Sequence, residues 1–213
     1  MSLVRKAVAL SFLTMACAHP SATPPGDAPA PNPDPRVGLK GGLWDAGQAA
    51  WNLRLASTTR PTGKFGEDMN SDMAFTGHYV IQGNFNGFQI WDIADPGHPT
   101  LRTAYYCPAS QSDVSVYKNL LIVSGEGLNG RLDCGGQGVH DTTSSDRRRG
   151  IRIFDISDLD HPRNVGNVQT CRGSHTHTLL VDPNDRDNVY VYISGSAGLR
   201  PGSELAGLSP SSR

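Results

Sequence analysis

The sequence predicts an all-β chain of repeated four-stranded units, a β-propeller architecture, from three observations. First, residues 87–99 recur as residues 150–162, with a glycine, an aromatic residue, Asp-Ile, a second aspartate and His-Pro in the same places. Second, residues 71–81 align with residues 112–122, and this offset of 41 residues matches a propeller blade of roughly 40–45 residues. Third, residues 120–123 are all apolar, which predicts a strand buried on both faces. A two-sheet sandwich is the alternative, but it does not require this period.

Each complete unit is predicted to hold four short strands, because runs of β-branched and aromatic residues are separated by turn-prone residues. In the first unit (71–107) the predicted strands are 72–76, 78–83, 87–93 and 99–106. In the second unit (112–171), which an insertion at 126–148 lengthens, they are 113–117, 119–124, 149–156 and 163–170. A third unit (175–213) opens with strands at 177–181 and 188–194, and residues 189–193 again predict burial on both faces. The sequence therefore predicts about two and a half blades of an incomplete propeller.

The two copies also predict the turn that follows their shared strand. Asp95 and Asp158 are placed to accept backbone N–H groups in Asx turns. Pro99 and Pro162 follow at the start of the next strand, where proline fixes φ and donates no hydrogen bond. Because proline at a strand start is typical of an edge strand, we expect the fourth strand of each unit to lie at an edge.

The number of units is too small for a closed ring, which usually has about four to eight blades. Stacked repeats that end without caps expose apolar faces and unpaired strand edges. We therefore expect the sequence to be a fragment or a truncated reading frame. Ring closure by oligomerisation and a small open β-sheet are the alternatives.

The N-terminal segment is typical of an exported protein. Arg5 and Lys6 precede a stretch of apolar or small residues, and residues 13–17 (Leu-Thr-Met-Ala-Cys) resemble the bacterial lipoprotein signal. By that resemblance, residues 1–16 are a signal peptide, and Cys17 becomes the acylated N-terminus that anchors the chain to a membrane. An ordinary secretory signal is the alternative. Ala18 stands where some inner-membrane lipoproteins carry aspartate, so we expect an outer-membrane or cell-surface lipoprotein of the bacterial envelope.

Two segments separate the signal from the repeats. Residues 17–36 are rich in Pro and Ala and hold too few apolar side chains to offset the entropy of ordering, so we expect a disordered spacer. Residues 37–70 form a lead-in, in which the composition of residues 46–55 allows a short helix. We expect the lead-in to pack Trp44 and Trp51 on the first repeat.

The repeat copies carry a resemblance to a known family. Residues 88–96 (Phe-Gln-Ile-Trp-Asp-Ile-Ala-Asp-Pro), 120–125 (Leu-Leu-Ile-Val-Ser-Gly) and 151–161 resemble the bacterial LVIVD-repeat proteins. The similarity extends from residue 38 to residue 206. It implies a secreted or surface β-propeller, but it implies no activity, because members of this family are described mainly by their repeat.

Acidic residues and histidines stand at the start of the first strand of each unit. In propellers generally this strand lies innermost, so we expect Asp72, Asp113, His175 and His177 at one mouth of the central channel. Carboxylates and imidazoles are common metal ligands. These four residues are therefore candidates for a site that binds a divalent metal or a polar ligand. The alternative is a polar channel lining that binds only water.

Three cysteines remain beyond Cys17, and disulfides are expected outside the cytoplasm. Cys134 lies in the insertion and could pair with Cys107 or Cys171, between which the spacing does not choose. A site of three cysteines that binds metal is the minor alternative. The insertion ends in a basic triplet, residues 147–149, which we expect to be solvated or to contact an acidic partner or a lipid headgroup.

Composition and motifs exclude several classes of function. The formal net charge is −1, so we expect no nucleic-acid partner. The sequence has no Gly-x-Ser-x-Gly elbow, phosphate-binding glycine loop or His-Glu-x-x-His helix. We therefore expect a binding or scaffolding protein whose partner is an envelope protein or an extracellular ligand. The alternative is a metal-dependent propeller enzyme that uses His175 and His177, although its similarity to copper-dependent propeller oxidases is limited to fold and histidine content.

Overall fold

The computed structural model of the protein describes residues 29–43, 45–185 and 187–206. The predicted signal peptide, Cys17 and the spacer as far as residue 28 lie outside the described residues. The chain divides into two compact units, Met1–Leu55 and Ala56–Arg213.

In the first unit, the described residues form turns and extended segments without a helix or a strand. Asp34 closes one turn, because its carboxylate accepts a hydrogen bond from the backbone N–H of Arg36 at 2.9 Å. The predicted short helix over residues 46–55 is wrong. Asn52 has a φ of 56°, which an α-helix does not contain, and Leu53 stays 83% exposed, so no apolar face is buried. Trp44 lies outside the described residues, and the packing of the two tryptophans stays a prediction.

The described residues of the second unit form two four-stranded antiparallel sheets, in which the strands follow chain order, and one two-stranded sheet. Blade 1 consists of β1 (Asn70–Thr76), β2 (Tyr79–Asn84), β3 (Gly87–Asp92) and β4 (Thr100–Tyr106). Blade 2 consists of β5 (Gln111–Tyr117), β6 (Leu120–Gly125), β7 (Gly150–Asp155) and β8 (Arg163–Gln169). The third sheet pairs β9 (Thr176–Leu180) with β10 (Tyr190–Ser194). Every predicted strand is present, and the fold is all-β with propeller-type blades, as predicted.

The two blades repeat one another even in their backbone irregularities. The pairing of the first two strands shifts register between Asn70 and Met73 in blade 1 and at the equivalent place, between Gln111 and Val114, in blade 2. The pairing of the last two strands shifts in the same way in both blades. Both copies of the motif begin with glycine because a Cβ at the first residue of β3 or β7 would lie only 2.1 or 2.2 Å from a carbonyl oxygen of the facing strand.

The turns predicted after the shared strand are confirmed. Asp95 Oδ1 and Asp158 Oδ1 accept hydrogen bonds from the backbone N–H two residues later, at 2.8 and 2.9 Å. Their second carboxylate oxygens lie 2.8 and 2.9 Å from Nδ1 of His98 and His161, which explains why histidine recurs in the motif. The bond to Asp158 raises the pKa of His161. The strands that follow, β4 and β8, are edge strands, as the prolines predict.

The core lies between blade 1 and blade 2. The Phe154 ring of blade 2 meets the Phe88 ring of blade 1 edge to face, with 5.1 Å between the centroids, and the Tyr105 ring stacks on Phe88 and also meets Phe154 edge to face. Ser71 Oγ donates to the carbonyl oxygen of Ser112 at 3.1 Å and so joins β1 to β5. Each fully buried Phe, Leu, Ile or Val side chain of this core contributes about 1.5–3 kcal/mol to the stability of the fold. The other buried members of the core are Ala74, Ile81, Ile90, Val114, Leu121, Val123 and Ile156.

The third sheet is more exposed than the sequence predicts. Tyr190 and Tyr192 in β10 remain 43% and 61% exposed, so the expectation of burial on both faces is wrong for this strand. Within the described residues β10 pairs only with β9, which leaves it at an edge. A one-turn helix, α1 (Gly202–Ala206), follows and was not predicted. No helix among the described residues combines the length and apolar character needed to span a membrane.

Candidate functional site

The first strands of blade 2 and of the third sheet bring Asp113 and His177 into contact. Asp113 Oδ2 accepts a hydrogen bond from the backbone N–H of His177 at 3.0 Å. The same oxygen lies 3.4 Å from Nδ1 of the His177 ring. Two of the four residues predicted at the channel mouth are therefore direct neighbours, and their contact joins β5 to β9.

Asp72, in β1, is the third predicted residue at this place. Burial, together with the hydrogen bond and negative charge of Asp72, raises the pKa of Asp113 to about 6, against the lowering effect of the His177 N–H. Two carboxyl groups that share a site cannot both ionise at their usual pKa. Asp113 therefore keeps its proton at a pH at which an isolated aspartate has lost its own.

The imidazole of His177 is completely buried. Its Nδ1 lies 2.9 Å from Ser124 Oγ, and that hydroxyl lies 2.9 Å from Ser174 Oγ. Nε2 has no hydrogen-bond partner among the described residues. Burial lowers the pKa of His177, which the charge of Asp72 opposes. Burial therefore favours the neutral imidazole, which is the form of histidine that binds a metal.

His175, the fourth predicted residue, has different partners. Its Nδ1 lies 2.7 Å from Glu126 Oε2, and Ser196 Oγ lies 3.2 Å from the same nitrogen. Glu126 Oε1 accepts from the backbone N–H and the hydroxyl of Ser196 at 2.8 and 2.9 Å, and from the N–H of Ala197 at 2.9 Å. Burial raises the pKa of Glu126, but these hydrogen bonds outweigh it and the pKa falls below its usual value. Glu126 is therefore a charged anchor that orients the His175 ring.

Sequence reasoning missed Glu126, which it identifies only as the first residue of the insertion. The signal lay in the spacing: Ser124 and Glu126 are two residues apart, as are His175 and His177. Alternate residues of an extended segment face the same side. The two pairs therefore meet in register, Ser124 with His177 and Glu126 with His175.

No group of three or more His, Cys, Asp or Glu side chains is arranged to hold a metal ion in the part of the chain that the structure describes. The predicted metal or polar-ligand site of Asp72, Asp113, His175 and His177 stays a prediction. Its residues lie in two adjacent groups: Asp72, Asp113 and His177 form one, and His175 joins Glu126 in the other.

The insertion is covalently attached to blade 1. Cys107, which follows β4, forms a disulfide with Cys134 in the insertion, and Cys171 is exposed and unpaired. The structure thus chooses between the two pairings that the spacing left open. The bond joins an insertion within blade 2 to the residue that follows the last strand of the preceding blade.

The basic triplet at the end of the insertion is buried, so the prediction of a solvated face is wrong. Arg147, Arg148 and Arg149 are 3%, 0% and 0% exposed. Arg147 forms an ion pair with Glu204 of α1, and Arg149 Nε donates to the Glu126 carbonyl oxygen at 2.9 Å. These acceptors come from segments distant in sequence, which is why composition alone indicated solvent.

The comparison with protein families matches the fold. The family model of the LVIVD repeat matches residues 69–106 and residues 145–170. The first stretch contains all four strands of blade 1, and the second contains β7 and β8 of blade 2. The chain therefore resembles LVIVD-repeat proteins, as its motifs predict, and is a repeat protein of the propeller type. A comparison with curated proteins gives no match.

Proposed function

We propose that this protein is an exported, lipid-anchored propeller-type protein that binds or scaffolds a partner at the bacterial cell envelope. The signal-like residues 1–16 and Cys17 support export and lipid anchoring at the cell envelope. The Cys107–Cys134 disulfide supports it too, because disulfides persist mainly in oxidising compartments outside the cytoplasm. The acyl chains on Cys17 contact the membrane, and the blades lie beyond the spacer.

The attachment of the insertion is the observation that carries the binding role. Residues 126–148 are held by the disulfide to Cys107 and by the buried Arg147, yet Leu128 and Leu132 remain 57% and 45% exposed. A loop that is already ordered loses less conformational entropy when it binds. Loops held on a rigid scaffold are also the usual carriers of recognition. The insertion is therefore the surface that meets an envelope protein or an extracellular ligand.

Site-specific photo-crosslinking in intact source cells tests this role. A photoreactive residue at Leu128 or Leu132 is expected to give one discrete adduct. Val165, which is 53% exposed in β8, is the matched control and is expected to give none. The same products from all three positions, or none from the insertion, contradict the role.

The anchor is tested separately by intact mass spectrometry of the native protein and of Cys17→Ser. A native protein that begins at an acylated Cys17, with the adduct absent from the variant, supports lipid anchoring. A soluble product cleaved at another residue contradicts it. This result is independent of the crosslinking, so the proposed location and the proposed binding role are tested separately.

The second candidate is a metal-dependent enzyme at the Asp72, Asp113, His175 and His177 site. One observation favours it: Nε2 of the buried His177 has no partner among the described residues. Equilibrium dialysis of metal-stripped protein against zinc, copper and manganese tests it. Stoichiometric uptake that His177→Ala abolishes, and that His98→Ala in an exposed turn preserves, supports the enzyme. No uptake contradicts it.

A further inference from the structure

A cavity of about 340 Å³ lies between blade 1 and blade 2, at the end of β6 opposite the insertion. The turn before β1 gives way to β2, the turn between β5 and β6 and the motif turn of blade 2 border it. Its volume lies within the usual range of small-molecule sites, about 300–1,000 Å³. The lining residues that matter here are His78, Tyr79, Lys118, Asn119, Ile156 and Leu159.

The turn between β5 and β6 holds Lys118 in a backbone conformation that is uncommon for residues other than glycine. Its φ is 54°, in the left-handed region. The equivalent turn of blade 1 has Gly77 at this place, with a φ of 57°. In both two-residue turns only the first central residue has a positive φ, which is the position that favours glycine. Blade 2 therefore carries a strained lysine beside the cavity, and such strain clusters at functional sites.

Lys118 brings a positive charge that no carboxylate balances. Among the described residues it forms no ion pair, and its Nζ lies 5.0 Å from the centroid of the Tyr117 ring. The carboxylates of the bordering motif turn each have another basic partner: they are Asp155 with Arg163, Asp158 with His161 and Asp160 with Arg102. Because the stem of lysine is flexible, the ammonium group can turn to a ligand in the cavity.

A second polar group and an apolar surface complete the cavity. Nε2 of His78 lies 3.8 Å from Asp92 Oδ2, beyond hydrogen-bond distance, so the imidazole is able to donate to a ligand. Ile156 is 5% exposed, and Leu159 packs against the same core. The cavity therefore combines one unbalanced cation with a neighbouring donor and an apolar surface.

We propose that this cavity binds a small organic monoanion, a carboxylate attached to an apolar body. Lys118 and His78 bind the carboxylate, and the apolar body lies against Ile156 and Leu159. A monoanion balances the single lysine charge, whereas a phosphate monoester carries a charge of about −1.5 to −2 at neutral pH. Glycine would relax the turn but would not bind an anion, which explains the lysine at this position. The site is independent of the proposed binding role of the insertion.

Solution NMR of the isotope-labelled full-length protein tests the proposal, with benzoate as the probe and its neutral analogue benzamide as the matched control. We expect benzoate to shift the backbone amide signals of Gly77, Lys118 and Asn119 saturably. The dissociation constant should be on the order of 10 mM for a ligand of this size. Benzamide and inorganic phosphate should bind at least about tenfold more weakly. No saturable shift with benzoate, or an equal response to benzamide or phosphate, overturns the proposal.

Substitution of the lysine provides the second test. Lys118→Gln removes the charge and is expected to weaken benzoate binding about tenfold or more, because a charged hydrogen bond is lost. Lys64→Gln is the matched control, since Lys64 is also exposed and its Nζ lies 5.5 Å from the centroid of a tyrosine ring. This control should bind benzoate as the unmodified protein does.

Lys118→Gly places the residue of blade 1 in the turn of blade 2. The variant is expected to lose benzoate binding while its thermal midpoint stays unchanged or rises, because the strain is relieved. A structural role for the lysine would instead lower the midpoint. Undiminished benzoate binding in either Lys118 variant, or a lower midpoint in Lys118→Gly, overturns the proposal.

Discussion

Arg102 of blade 1 and Asp160 of blade 2 form a bidentate ion pair, with Nε 2.6 Å from Oδ1 and Nη2 3.0 Å from Oδ2. Asp160 belongs to the turn of the repeat motif, and Arg102 belongs to β4. Next to the pair, Thr103 Oγ1 donates to the Leu159 carbonyl oxygen at 2.7 Å. The turn that the motif encodes therefore also attaches blade 2 to the last strand of blade 1.

Removal of this ion pair is predicted to weaken the contact between the blades only modestly. Both side chains are partly exposed, so water and salt screen their attraction. A double-mutant cycle of Arg102→Ala and Asp160→Ala, measured by urea unfolding, should show a small favourable coupling that declines as salt increases. A coupling of zero at low salt would contradict a role for the pair.

Truncation of the core between the blades is predicted to be far more damaging. Phe154 is completely buried against Phe88, so Phe154→Ala should lower the free energy of unfolding by about 3–5 kcal/mol. Phe75→Ala is the control, since its ring is 61% exposed, and should change that free energy by less than about 0.5 kcal/mol. If urea unfolding showed that both variants lose the same free energy of unfolding, the blades would not share this core.

Loss of the disulfide is predicted to destabilise the protein chiefly through its unfolded state. Cys107 and Cys134 are separated by 27 residues, and a loop of this size corresponds to about 3.5 kcal/mol of lost stability in the doubly Ser-substituted protein. Cys171→Ser should have little effect, because that cysteine is exposed and unpaired. Chemical denaturation of the three proteins makes the comparison, and an unchanged double variant would contradict the bond.

Stability is predicted to depend on pH through Asp113. Burial and Asp72 raise the pKa of Asp113 to about 6, so its contribution to stability is fully present below the unfolded pKa, near 3.8, and is lost as pH rises through 6. Asp113→Asn keeps an oxygen for the His177 N–H but cannot ionise. The variant should therefore gain stability relative to the unmodified protein across this window, on the order of 1–2 kcal/mol.

The measurement is the free energy of unfolding of both proteins at a series of pH values. His177 acts in the opposite sense: because its pKa is lowered, its contribution is present above 6.5 and is lost as pH falls. The difference between the variant and the unmodified protein isolates Asp113 from this background. A difference that does not change with pH would show that Asp113 titrates normally.

Much of the candidate site could be predicted because it follows from the repeat. Asp72 and Asp113 occupy equivalent places in β1 and β5, and His177 opens β9, so adjacent blades bring the three together. Glu126 could not be found in this way. It lies 49 residues before His175 in the chain, and only the packing of the third sheet on blade 2 makes them neighbours.

The sequence by itself determined the strands, the turns and the blade pattern, because these depend on periodicity, turn chemistry and proline at positions close together in the chain. The tertiary structure alone decided that Cys134 pairs with Cys107 and that residues 147–149 are buried. It also decided the exposure of β10, which depends on what covers the strand and not on how apolar it is. Each of these outcomes depends on contacts between segments distant in sequence, and no local pattern specifies such contacts.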